Sequence, residues 1–184
     1  MRNVLKLFYS LAIVGMLSSC VMMTQPVRKV SSFDEESAYL YGHFKLNKPE
    51  EAFVYPRAAL EIGKVANSKT QTFEFTLDGK ARIIELPPGK YFLRRFIFTS
   101  LSYEKLGVKP LPDPYLVVPF EVKAGKAYYI ADFNMFAESV SNTIEWKHSW
   151  FLSEIKHTFA DTTKEVLVDY PQMEKAEMVN LFSK

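Results

Sequence analysis

From Glu36 onward, hydrophobic and polar positions alternate with a period near two rather than 3.6. In the run 72–77, TFEFTL, Phe73, Phe75 and Leu77 share one face of an extended chain and Glu74 and Thr76 the other. Leu116, Val118, Phe120 and Val122 do the same further on, and Pro119, which has no N–H to give, marks that run as an edge strand. Runs of this kind predict strands over 37–46, 52–62, 70–77, 81–86, 91–99, 115–122, 127–136 and 143–152. Asp78-Gly79, Pro88-Gly89 and Ala124-Gly125 each place a glycine where a tight turn needs positive φ, and they read as three hairpins. The fold expected is mainly β: a single antiparallel β-sandwich of about eight strands fed by a meander.

The pattern changes after about Phe159. Thr162 and Glu165 have capping-box spacing, Val166, Leu167 and Tyr170 form a short apolar face, and Pro171 ends the segment. Met178, Leu181 and Phe182 then recur at helical spacing. Short C-terminal helices covering an end or face of the sheet are therefore expected.

The N-terminus follows a different plan. Arg2 and Lys6 precede an uncharged run from Leu7 to Met16, which is bounded by Ser18 and Ser19. That run is about half the roughly 20 residues a spanning helix needs, and the layout is that of a secretory signal peptide. Leu17-Ser18-Ser19-Cys20, which holds the single cysteine of the 184 residues, resembles the lipobox of bacterial lipoproteins. The resemblance implies a diacylglycerol on the Cys20 thiol, cleavage just before it, and acylation of the new amino group by a chain such as palmitate. Several acyl chains make a stable anchor, because each buried methylene contributes about 0.8 kcal/mol. The expected divisions are a signal peptide over 1–19, a lipidated tether over 20–35 and one domain over 36–184, with a first strand inside the tether, on Val27, Val30 and Phe33, as the alternative. Val21 and Met22 lack the aspartate associated with inner-membrane retention, which favours the outer membrane. LPPGKYFL and VKAGKAYYIADF, within 70–136, are similar to stretches of a loose group of envelope lipoproteins with a small prealbumin-like β-sandwich.

Composition narrows the partners. Loss of residues 1–19 removes Arg2 and Lys6 from 23 basic side chains and none of the 21 acids, so the remaining charge balances. A nucleic-acid partner, which needs clustered cations to neutralise phosphates, is not expected. With Cys20 lipidated there is no disulfide, and the fold depends on its core.

Candidate chemistry is sparse. There is no G-x-S-x-G elbow, and His43, His148 and His157 show no H-x-x-x-H spacing. Glu145, His148 and Glu154 lie near one another in sequence, an arrangement common on half-wet strands. Tyr128, Tyr129, Phe133, Phe136, Trp146 and Trp150 either form the core or present rings to a sugar or a partner. Arg94 and Arg95 are expected on opposite strand faces, one of them turned inward to a carboxylate.

No catalytic residue, metal or cofactor is assigned, and Cys20 is assigned to lipid. The expected role is a non-enzymatic, membrane-anchored envelope protein that binds another envelope component or acts as an accessory subunit. The competing class is a hydrolase or carbohydrate-binding module whose site assembles from distant residues. The candidate partner-binding element is the stretch 100–115, where Tyr103, Leu106, Val108 and Leu111 supply apolar contacts and Pro110, Pro112 and Pro114 stiffen the chain. The same stretch equally suits a passive crossover between sheets.

Overall fold

The computed structural model describes residues 24–26, 30–47, 57–67, 69–76, 78–99, 105–110, 118–141 and 146–181. Along the chain run β1 (Thr24–Pro26), β2 (Ala38–Asn47), β3 (Arg57–Lys64), β4 (Thr70–Thr76), β5 (Asp78–Leu86), β6 (Gly89–Thr99), β7 (Lys105–Pro110), β8 (Phe120–Val122), β9 (Lys126–Ser141) and β10 (Trp146–Lys156). Helix α1 (Phe159–Asp169), a 3-10 turn (Pro171–Lys175) and β11 (Glu177–Asn180) complete it. The fold is mainly β, in two sheets. Sheet I has the order β1-β4-β3-β6-β7, with β8 also on β6; sheet II has the order β10-β9-β2-β5, with β11 also on β9.

The two sheets share one apolar core. Phe44 and Phe133 of sheet II stack at 5.4 Å, and both meet the Phe96 ring of sheet I edge-on, at 6.2 and 5.1 Å. Leu60, Ile62 and Leu93 from sheet I and Leu40, Ile130 and Met135 from sheet II close around them, all buried. At one side β7 lies beside β10, bringing the sheet edges together. A second core lies on the outer face of sheet II, where Tyr39, Tyr41, Ile83 and Tyr129 pack beneath Val166, Tyr170 and Met173.

Each of the eight runs that alternation predicts overlaps a strand, but the described residues hold eleven strands, with β1, β7 and β11 outside those runs, and the strand partners are not those expected. Asp78-Gly79, Pro88-Gly89 and Ala124-Gly125 make no hairpin, since each joins a strand of one sheet to a strand of the other: β4 to β5, β5 to β6, β8 to β9. The glycines do take positive φ, at 78°, 155° and 72°. Gly89 lies far from the value near +80° of a type II turn. The hairpins are instead β3–β4, β6–β7 and β9–β10. Nor is sheet II wholly antiparallel, because its central pair, β2 and β9, runs parallel.

The C-terminal segment also differs from the pattern its sequence suggests. Thr158 is the N-cap of α1, so Thr162 and Glu165 are interior helix positions and form no capping box. Met178 lies in β11, which pairs parallel with β9 where a helix was anticipated. Phe182 lies outside the described residues.

Two further segments differ from the sequence reading. Residues 105–110, within the stretch read as a stiff connection, form β7 on the free side of β6, with Val108 opposite Ile97 and Pro110 opposite Arg95. Leu106 belongs to that strand too, whereas Tyr103, Leu111 and Pro112 lie outside the described residues. In the stretch read as a tether, Thr24–Pro26 pairs with β4, Val30 is buried, and Phe33 stacks on Tyr39 at 5.8 Å. The Gln172 side chain donates to the Val30 carbonyl. Ordered structure therefore begins before Glu36.

Candidate functional site

Asp132 stands out because it is buried in the apolar run AYYIADF. Its position follows from a bulge. In the parallel pairing of β2 with β9, Tyr41 faces Tyr129 and Gly42 faces Ala131, so Ile130 is the extra residue. Ile130 and Ala131 both belong to the inter-sheet core. Without the extra residue, strict alternation would carry Asp132 into that core beside Tyr128; with it, Asp132 turns to the helix-covered face. Gly42 makes the close approach possible: a Cβ there would lie 2.1 Å from the Ala131 carbonyl oxygen.

On that face Asp132 meets His43, its partner in register on β2. The His43 amide donates to Asp132 Oδ1 at 3.3 Å, and imidazole Nδ1 lies 3.5 Å from the same oxygen. Helix α1 supplies the rest. Thr162, fully buried, donates its hydroxyl to Asp132 at 3.0 Å, and Thr158 donates to Oδ2. Glu165 places Oε2 2.9 Å from His43 Nε2, while its Oε1 accepts the Ala81 amide of edge strand β5 at 3.2 Å. Two tyrosines flank the cluster: Tyr41 hydroxyl pairs with Thr163 at 2.6 Å, and Tyr129 donates to the Lys156 carbonyl while accepting from the Thr158 amide.

Electrostatics follow from these contacts. The hydrogen bond to Asp132 raises the His43 pKa; burial opposes it, and the charges of Asp132 and Glu165 add to it. Burial alone would raise the Asp132 carboxyl, but hydrogen bonds from His43, Thr158 and Thr162 hold it below the usual carboxylate range. Burial pushes the phenols of Tyr41 and Tyr129 up to about 12. The result is an imidazole ring set between carboxylates from β9 and α1, which favour its protonated form.

That geometry predicts a pH dependence. Folding raises the His43 pKa, so the stabilisation it gives is fully present below the ordinary value of 6.5 and is lost as pH rises through the higher folded value. The unfolding midpoint is expected to fall across that rise, and His43→Gln is expected to flatten the profile. A slope equal in both proteins would show that the clamp contributes nothing.

A second buried acid lies on sheet I. Glu61, fully buried on β3, receives Arg94 Nη1 at 2.6 Å and Arg95 Nε at 2.5 Å. Both arginines reach one carboxylate, contrary to the opposite faces expected, because Arg95 faces Glu61 and Leu93 faces Ile62, leaving Arg94 as the extra residue of a bulge. Burial would raise the Glu61 carboxyl; the guanidiniums of Arg95 and Arg94 outweigh it and lower the pKa.

Of the residues singled out in the sequence, Tyr128, Tyr129 and Phe133 are buried, as core aromatics. Glu154 is exposed and accepts from Asn134 and Lys156. Cys20 and Glu145 lie outside the described residues. Among the described residues no group of three or more His, Cys, Asp or Glu side chains is placed to hold a metal, and no helix is long and apolar enough to cross a membrane.

No protein family and no curated protein matches the chain. Among solved structures it is similar to a leucine-rich repeat protein from Bacteroides thetaiotaomicron, at 14% identity and a TM-score of 0.37, over 59% of this chain and 14% of that one. The chain thus spans a small fraction of that protein's length, and the likeness carries no argument about fold or role.

Proposed function

We propose that this chain is a non-enzymatic, lipid-anchored protein of the bacterial cell envelope, in which a single β-sandwich serves as a partner-binding or accessory module. The anchor is read from the lipobox-like Leu17-Ser18-Ser19-Cys20, and its outer-membrane placement from the residues after Cys20. The sandwich reading is supported by the core that the two sheets share.

One observation carries the non-enzymatic part: the polar groups that resemble a reaction centre are consumed in holding α1 to sheet II. A catalytic histidine needs one ring nitrogen free to take a proton from a nucleophile or water. Here both nitrogens of His43 face carboxylates, and both oxygens of Asp132 are occupied by His43, Thr158 and Thr162. A ring so clamped acts as a fastener between helix and sheet.

Cys20→Ser tests the anchor. The variant is expected to leave the membrane fraction while keeping the unfolding midpoint of the wild type, since the anchor lies outside the described fold. Retention on membranes after a high-salt wash would remove the main support for the lipoprotein reading.

A further inference from the structure

The β1–β4 pairing fixes more than a strand. Thr24 faces Thr72, and the two strands run parallel, so the chain enters β1 from the end at which β4 begins. If Cys20 carries the lipid, four Cα–Cα steps separate the anchor from Thr24, and a fully extended chain covers at most about 14 Å in that distance. The first turns of sheet I must then lie close to the bilayer surface.

The tips at that end differ between the sheets. On sheet I, β3 ends at Lys64 and its connection to β4 carries Lys69 and an exposed valine, Val65, at 43% exposure. It is tied to the start of β6 by the Val65 amide, which donates to the Lys90 carbonyl at 2.9 Å. Lys64 Nζ lies 5.8 Å from the Tyr91 ring centre, and Lys69 and Lys90 are exposed. One acid, Glu121 of β8, stands opposite Lys90. On sheet II the same end carries Asp34, Glu35, Glu36 and Glu85, all exposed, which outnumber Lys123 of the neighbouring β8–β9 connection and Lys126 at the start of β9, and Lys126 is itself paired with Glu177. Cations around an exposed apolar side chain suit a surface of anionic headgroups over acyl chains, whereas the acidic side is repelled by it.

We infer that the sheet I tips formed by Lys64, Val65, Lys69 and Lys90 rest against the membrane that holds the Cys20 lipid, with the acidic tips of sheet II tilted away. This rests on the lipoprotein reading. It makes the anchored domain an oriented body, held at the bilayer with α1 and the β7–β10 side facing outward to partners.

The test uses the protein isolated from membranes, with the mass of its N-terminal peptide determined first. It is then reconstituted into vesicles of phosphatidylcholine and phosphatidylglycerol containing a phospholipid with a photoreactive headgroup, and adducts are mapped by proteolysis. Adducts are expected on peptides holding residues 64–69 and 89–90, and to be scarce on Asp34–Glu36 and on α1. In Lys69→Gln and Lys90→Gln variants, adduct yield on those tips is expected to fall by about fivefold per lysine, the effect of one cation near an anionic surface. Acylated Cys20 with adducts spread evenly, or concentrated on α1, overturns the orientation and leaves the lipoprotein reading standing. A free Cys20 thiol overturns both.

Discussion

Asp132→Ala is expected to lower the unfolding free energy by about 3 kcal/mol, the low end of the cost of removing one partner from a buried charged pair. Two losses add. Thr162, fully buried, loses the carboxylate it donates to and keeps only the Thr158 hydroxyl at 3.2 Å, and His43 loses the carboxylate on its Nδ1 side. Its remaining contact with Glu165 keeps the cost from rising further. Chemical denaturation checks this: the midpoint should fall with little change in slope. Asp132→Asn, which keeps an oxygen to accept from the threonines, should lose clearly less. A loss below about 1 kcal/mol for the alanine variant, within the range of an ordinary neutral hydrogen bond, would show that α1 does not depend on this cluster.

Gly42→Ala is expected to cost about 3 kcal/mol, the upper part of the range for overpacking. The reason is space, not backbone conformation. The added Cβ would stand 2.1 Å from the Ala131 carbonyl oxygen, a backbone atom with no flexible end to move aside. Relief requires β2 and β9 to separate at the centre of sheet II, or the bulge at Ile130 to move. Either response displaces Asp132 from its threonines, so Gly42→Ala and Asp132→Ala should be markedly non-additive, coupled by about 0.5–3 kcal/mol. A Gly42→Ala protein as stable as wild type would place the bulge elsewhere.

These two residues also show what could be read in advance. Strand positions were legible because alternation is a local property: Ala38–Asn47 and Thr70–Thr76 fall within a residue or so of the runs that predict them. Strand partners were not. A glycine after Asp78, Pro88 or Ala124 fixes a local φ, and the same φ serves a hairpin or an arch between sheets. Choosing between them depends on pairings made elsewhere in the chain. The His43 cluster was illegible for a related reason, since His43 and Asp132 are 89 residues apart and His43 and Glu165 are 122 apart. One signal was present: an aspartate inside the apolar run AYYIADF must find donors somewhere, because a buried carboxylate without them is costly. Arg94 and Arg95 were misread because alternation assumes no bulge, and the bulge opposite Glu61 gathers both onto one carboxylate.

The parallel pairing of β2 with β9 also sets the order in which the chain can mature. β2 can pair with β5 once residue 86 is available, but its other edge stays unpaired until β9 has been made, since Tyr39 waits for Ala127 and Asn47 for Phe136. Helix α1, which covers the outer face, comes later still. Closing so long a loop before any contact rewards it slows folding, and through that interval the growing chain exposes a tyrosine-rich strand edge open to pairing with other chains. Folding of this protein is therefore expected to be slow for its size and sensitive to crowding among nascent copies, with the last third of the sequence deciding whether the first third is protected.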